Sequence, residues 1–360
     1  MKMYNDIRIL DKKRIKDLLK SANSEWNIYA PIEEAGGDIY FDMLPKDYKI
    51  VDEVLNNISL KNNNDTVLSP KDIFFPQMEV LFNIDKDNFI EITESSPKLI
   101  FGIKSCDLKA VLFVDEFFKR NYEDVYYLSR IKNRLLISIG CLTPPRPGSC
   151  FCTSTGTGPF LEEGYDIQLV DAGDFFYAEI GSEKGQTFAD KYSEYFNKRT
   201  DGDTAKKNIN RIKAKASDTV NLKVDFDRAV ELMQDDDFFP QENYKRIGER
   251  CIYCGACLYT CPTCTCFSIS DTVSSNKEGI RFRNWDGCVF EGYTREASGH
   301  NPRYEKYLRT ARRYEHKLKY DYKVTGTSGC VGCGRCLESC PVNIGMSKFI
   351  VEITEGKRIL

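Results

Sequence analysis

Two runs of cysteine dominate this chain. Cys251-x2-Cys254-x2-Cys257-x3-Cys261-Pro262 is followed by Cys330-x2-Cys333-x2-Cys336-x3-Cys340-Pro341, and each cysteine of the second run lies 79 residues after its counterpart. This is the ligand run of bacterial ferredoxins. Two-residue spacers let three thiolates of one loop cap three irons of a cubane. The fourth cysteine is carried away by the following turn and reaches the other cluster. The spacing therefore predicts one [4Fe-4S] cluster on Cys251, Cys254, Cys257 and Cys340, and a second on Cys330, Cys333, Cys336 and Cys261. Gly255 and Gly334 sit inside the loops, where a missing side chain lets backbone N–H groups turn toward sulfur. Pro262 and Pro341 fix the exits. Zinc is the competing ligand chemistry. Its sites pair two C-x2-C halves, which a doubled run ending in C-x3-C-P does not resemble.

The rest of the composition agrees with thiolate-bound metal. There are 15 cysteines, an odd number, in 360 residues that open on a charged segment, MKMYNDIRILDKKRIKDLLK, with no apolar signal core. A disulfide framework does not suit such a chain; a reducing cytoplasm does. Only two histidines are present, which removes most histidine-based catalysis. His300 and His316 read as surface or structural residues. The net charge of −3 argues against a nucleic-acid partner. No apolar run approaches the ~18 residues of a membrane span.

The length suits two or three domains. The first 105 residues hold no cysteine, four follow at Cys106, Cys141, Cys150 and Cys152, and eleven crowd between Cys251 and Cys340. The polar stretch 197–218 reads as a linker, so a boundary is placed near residue 220. Residues 1–220 alternate strand and helix patterns: strands over 99–103, 134–140, 167–170 and 175–180, helices over 107–118 and 186–197. Asp107 suits the first turn of its helix. Residues 221–360 look helical, with helices over 226–233, 242–250 and 304–319 and one short strand candidate over 280–283. The expected architecture is an α+β or α/β N-terminal domain, 1–220, followed by a helical two-[4Fe-4S] ferredoxin-type domain, 221–360.

Cys106 and Cys141 each follow a predicted strand, and Cys150 and Cys152 sit in a Pro- and Gly-rich loop. These four thiols could converge at one sheet edge on a third Fe–S cluster or a zinc ion, or remain ordinary buried cysteines. Cys264, Cys266 and Cys288 read as packing or spare thiols. The 68 residues between the runs carry Arg281, Arg283, Arg295, Arg303, Arg309, Arg312, Arg313 and Lys317. They form a solvated face, tune the clusters, or dock an acidic partner. Neither Gly156-x-Gly158 nor GSEKGQT at Gly181 completes a nucleotide motif.

Several segments together resemble a known family: SPKDIFFPQMEVLF, FGIKSCDLKAVLFVDEFF, DVYYLSRIKNRLLISIGC, CFCTSTGTGP, the doubled run, RFRNWDGCVFEGYTREASGHNPR and RYEHKLKY. They span residues 69 to 345. The family is the β subunit of cytosolic hydrogenase/sulfur reductase complexes, with the related iron–sulfur subunit of anaerobic sulfite reductase. The dicluster run is generic; the N-terminal segments and RNWDGC are specific. Gly345 departs from the acidic residue of many relatives, at the exit of the second run and away from its ligands. The resemblance implies a non-catalytic, cytoplasmic electron-transfer subunit. It would sit between a flavin-containing, diaphorase-type subunit and a catalytic partner of NiFe hydrogenase or sirohaem reductase type. The alternative is a self-contained oxidoreductase whose N-terminal domain binds flavin or a small substrate.

Overall fold

The computed structural model describes residues 6–197, 202–274 and 277–358. The first five residues of the charged opening segment, and residues 198–201 of the expected linker, lie outside them. Among the described residues, two sheets organise the chain. The larger has eight strands: β1 (Ile7–Asp11), β2 (Asn27–Glu33), β3 (Ile39–Met43), β6 (Lys98–Ile103), β7 (Arg134–Ile139), β8 (Ile167–Asp171), β9 (Phe175–Ile180) and β10 (Phe196–Asn197). The smaller has four: β4 (Met78–Asp85), β5 (Asn88–Glu91), β11 (Phe267–Val273) and β12 (Glu278–Trp285).

The large sheet runs β10-β1-β9-β8-β7-β6-β2-β3. Its centre, β8-β7-β6-β2, is parallel, and its outer strands pair antiparallel. Every residue of β6 and of β8 is buried, as central strands covered on both faces require. Alternate side chains of β6 divide between two cores. Leu99 and Phe101 join Leu18, Leu19 and Ile137 on one face. Ile100 and Ile103 join Leu108, Val111 and Phe118 of the Ser105–Lys119 helix on the other.

Past residue 220 the chain is mostly helical, with helices at Phe226–Gln234, Gln241–Arg250, Lys306–Glu315 and Met346–Glu355. The Lys306–Glu315 helix runs on through a wide π turn, His316–Tyr320, into Asp321–Thr325. Tyr244, Tyr314 and Phe349 stack at the centre of this half. The chain is thus a mixed α/β N-terminal region followed by a helical region.

Two local expectations give way, and a third is extended. The polar stretch after residue 197 holds a helix, Gly202–Asp218, because Ala205, Ile209 and Ala216 bury one face, the first two against Val170 and Tyr177. The helix expected over 186–197 spans Glu183–Lys191, capped by Ser182. The strand candidate over 280–283 is the middle of β12, paired on one side with β11 and on the other with β4. That second pairing joins residues 78–85 to 278–285 and stitches the two halves together. Among the described residues no helix is long and apolar enough to cross a membrane.

Candidate metal centre: three cysteine-lined cages

Short turns fix the two cysteine runs. Each closes into a single helical turn, Ala256–Tyr259 and Arg335–Glu338, after a glycine in the left-handed region. Backbone N–H groups then reach sulfur: Tyr253 N lies 3.4 Å from Cys251 Sγ, and Ile344 N lies 3.3 Å from Cys340 Sγ. The structure brings Cys251, Cys254, Cys257 and Cys340 around one void. Cys261, Cys330, Cys333 and Cys336 line a second. Each grouping takes three cysteines from one run and the fourth from the other.

A third void is lined by Cys106, Cys141, Cys150 and Cys152. Its position follows from the sheet. Strands β6 and β7 are parallel neighbours, so Cys106 and Cys141, just beyond their carboxyl ends, face one crevice. The 141–159 loop then lies directly on the second cysteine run. Phe151 N donates to Gly332 O at 2.8 Å, and Thr157 Oγ1 donates to Val331 O at 2.6 Å. A Cβ on Gly332 would stand 2.8 Å from Cys152 Cα, and one on Gly334 2.7 Å from the Ser149 carbonyl. Both glycines have positive φ, so any other residue there would be strained and would push the loop off.

The thiols suit metal better than they suit solitude. Burial raises Cys330 and Cys152 to about 12, and Cys257 and Cys333 to about 11. Buried thiolates need compensating positive charge, which bound iron supplies. Among the described residues no three His, Cys, Asp or Glu side chains are placed to hold a single metal ion. Four thiols spread around a larger void fit a cubane core, which presents four separate irons.

Buried cations surround the cages. Of the eight basic residues singled out in the insertion, Arg283, Arg309, Arg313 and Lys317 are buried, so these four form no solvated or docking face. Arg283 pairs with Glu79 and Asp124. Arg313 lines both the first and second voids. Burial opposes its charge, but the facing Cys257 and Cys336 hold its pKa well above the usual value. Lys317 Nζ donates to Thr263 Oγ1 at 2.6 Å. Four further buried cations come from outside the insertion. Lys71 Nζ lies 3.1 and 3.0 Å from the carbonyls of Cys261 and Cys264. Arg335 makes a two-pronged bond to Asp107, at 2.5 and 2.8 Å. Arg146 donates to Cys333 O at 3.1 Å and pairs with Asp65. Lys104 lines the third void. Sequence reasoning missed these four, and only the placement of Arg335 inside CGRC signalled one.

Cys264 lines none of the three voids and hydrogen-bonds Cys261, lowering that thiol well below its ordinary pKa. Cys288 packs against Leu258 and Val289, and burial raises it to about 12. His316 is half-buried, 3.3 Å from Asp321, and burial drops it to about 3.

The model of a 4Fe-4S dicluster domain matches residues 250–344, the segment that supplies the first two cages. Sulfhydrogenase 2 subunit beta of Pyrococcus furiosus is 31% identical over 291 residues, covering 81% of this chain and 84% of that protein. The chain belongs to this hydrogenase β-subunit family. It carries an iron–sulfur dicluster domain at residues 250–344.

Proposed function

We propose that this chain is the electron-relay subunit of a hydrogenase- or reductase-type complex, holding three [4Fe-4S] clusters in one line. The observation that carries the reading is that neighbouring cages share walls. Arg313 belongs to the first and second voids, and Cys333 to the second and third. The order is therefore Cys251/254/257/340, then Cys261/330/333/336, then Cys106/141/150/152. Bound clusters would supply one-electron transfer, and nothing in the reading asks for a general acid, a nucleophile or a nucleotide site. The side chains do the rest. Phe151 and Met346 close the middle cage from water, while Cys254 is exposed and brings the first cage to the surface. The partners proposed are a flavin-containing subunit and a catalytic hydrogenase or reductase subunit, in the cytoplasm. A self-contained oxidoreductase has one supporting observation: an open cleft lined by Lys109, Thr155, Asp227 and Tyr322, with Cys330 on its wall.

The test is iron, sulfide, zinc and flavin content of the anaerobically purified full chain, with EPR after reduction. About twelve irons, falling to about eight in Cys150→Ser, is the expected result. About eight irons in both proteins would remove the third cluster. Stoichiometric flavin would move the reading to the cleft, and zinc without iron would end it.

A further inference from the structure

Arg313 occupies an unusual position for a charged side chain. It is 4% exposed and stands between two cysteine cages. Its Nε and Nη2 atoms are buried and bond to no protein atom. Arg283 and Arg309 each leave one buried nitrogen unpaired as well, Nη2 and Nε, but Arg283 bonds to two carboxylates and Arg309 donates through Nη1 to the carbonyls of Arg303 and Tyr304, whereas Arg313 leaves two. The groups facing Arg313 are thiols, Cys257, Cys336 and Cys261, together with Tyr314. A guanidinium is a planar, permanently charged fork of donors. Buried donors of this kind need acceptors, and here the cage interiors are the surfaces they meet.

We propose that Arg313 is a positioning residue shared by the two clusters of the dicluster region, its unpaired N–H groups serving sulfur atoms on both sides. The inference rests on the dicluster reading above. Hydrogen bonds to sulfur and nearby positive charge both raise a cluster's reduction potential. One guanidinium placed between two cages raises both potentials together. Lys71 provides the contrast: it touches the carbonyls of Cys261 and Cys264 and so borders the second cage alone.

The test uses the anaerobic full-length protein with Arg313→Gln, Arg313→Lys and Lys71→Met. Iron is counted first, and each cluster is then titrated potentiometrically by EPR, with Cys254→Ser assigning the first cage. The wild type must hold at least the eight irons of the dicluster region; if it does not, the dicluster reading fails before the inference is reached. With iron retained, Arg313→Gln should lower both midpoints, each by about a tenfold change in the reduction equilibrium, ~59 mV. Arg313→Lys, which keeps the charge and loses the fork, should recover part of both shifts. Lys71→Met should move one midpoint. Unmoved potentials with full iron in Arg313→Gln, or movement of a single cluster, would overturn the proposal. Should Arg313→Gln lose iron, the lysine variant decides: two smaller downward shifts support sharing, and none refutes it.

Discussion

The eight-stranded sheet and the cysteine-lined half reach order by different means. The sheet's larger core is built on apolar side chains: Leu10, Leu18, Leu19, Ile28, Leu99, Phe101 and Ile137 all belong to it. Removing water from that surface stabilises the region at ~25 cal/mol per Å². The other half packs Phe151, Tyr244, Tyr314 and Phe349 against Cys251, Cys330, Cys336 and Cys340. Its interior contains the thiols of two cages and the buried cations Arg283, Arg309, Arg313, Lys317 and Arg335. A region whose core is lined with ligands is completed by what the ligands hold, because metal binding there is folding free energy. The lesson is that one chain can keep a self-sufficient scaffold beside a cofactor-dependent one.

The largest effect should come from removing iron. Anaerobic chelation of the loaded protein should abolish hydrogen-exchange protection across residues 250–344 while β6, β7 and β8 stay protected. Equal loss in both regions would erase the distinction between them. Protection unchanged everywhere would mean that the helical half packs without its clusters.

Next in size is the bond that joins the regions. Arg335, in the second cysteine run, bonds to Asp107 in the first turn of the Ser105–Lys119 helix, and both side chains are buried. Truncating one partner of a buried pair leaves the other charged and unsolvated, at a cost of ~3–5 kcal/mol. Arg335→Met should therefore lower the denaturant midpoint sharply. The double variant Asp107→Leu with Arg335→Met should recover most of the loss, since a well-packed apolar pair can replace an ionic one. A double variant as unstable as the single one would point instead to the bonds Arg335 makes to Thr66.

A smaller effect should separate the regions in the opposite sense. Leu19 is fully buried in the sheet core. Leu19→Ala should cost ~2–5 kcal/mol through lost transfer energy and a residual cavity. Iron content and EPR spectra should not change. Loss of iron in this variant would show that the cages depend on the sheet's tightness as well as on its strand ends.

Legibility in the sequence follows the same division. Spacing already groups Cys340 with the first run and Cys261 with the second, and the voids are lined in that grouping. The strands β6 to β9 were legible because buried strands are short apolar runs. The convergence of Cys106 and Cys141 followed from two strands ending alike, but their being parallel neighbours is a tertiary fact. The small sheet was hidden for a physical reason. All of β5 is exposed, most of β11 is exposed, and a pairing between residues 78–85 and 278–285 leaves no local pattern. The buried cations were the least legible. Lys71, Lys104, Arg146 and Arg335 carry no local signal of burial, because a charged side chain is buried only when distant partners make it tolerable.

Lys71 gives the smallest of these effects, and the most local. It enters the helical half from the N-terminal region. Its Nζ lies 3.8 Å from the centroid of the Trp285 ring, against the carbonyls of Cys261 and Cys264. Burial lowers its pKa, while the Cys264 and Cys261 thiols pull the other way. Lys71→Met keeps most of the volume and removes the charge, so it should cost ~1.5–3 kcal/mol, the scale of a hydrogen bond to a charged group. The cost should fall on one side of the comparison only. Exchange protection should drop around residues 261–266 and at Trp285, with β6 to β9 unaffected. Lys71→Gln, which restores donors without the charge, separates the two contributions. Full recovery of protection would assign Lys71 to hydrogen bonding alone, whereas partial recovery would show that its charge also holds the Cys261 loop in place.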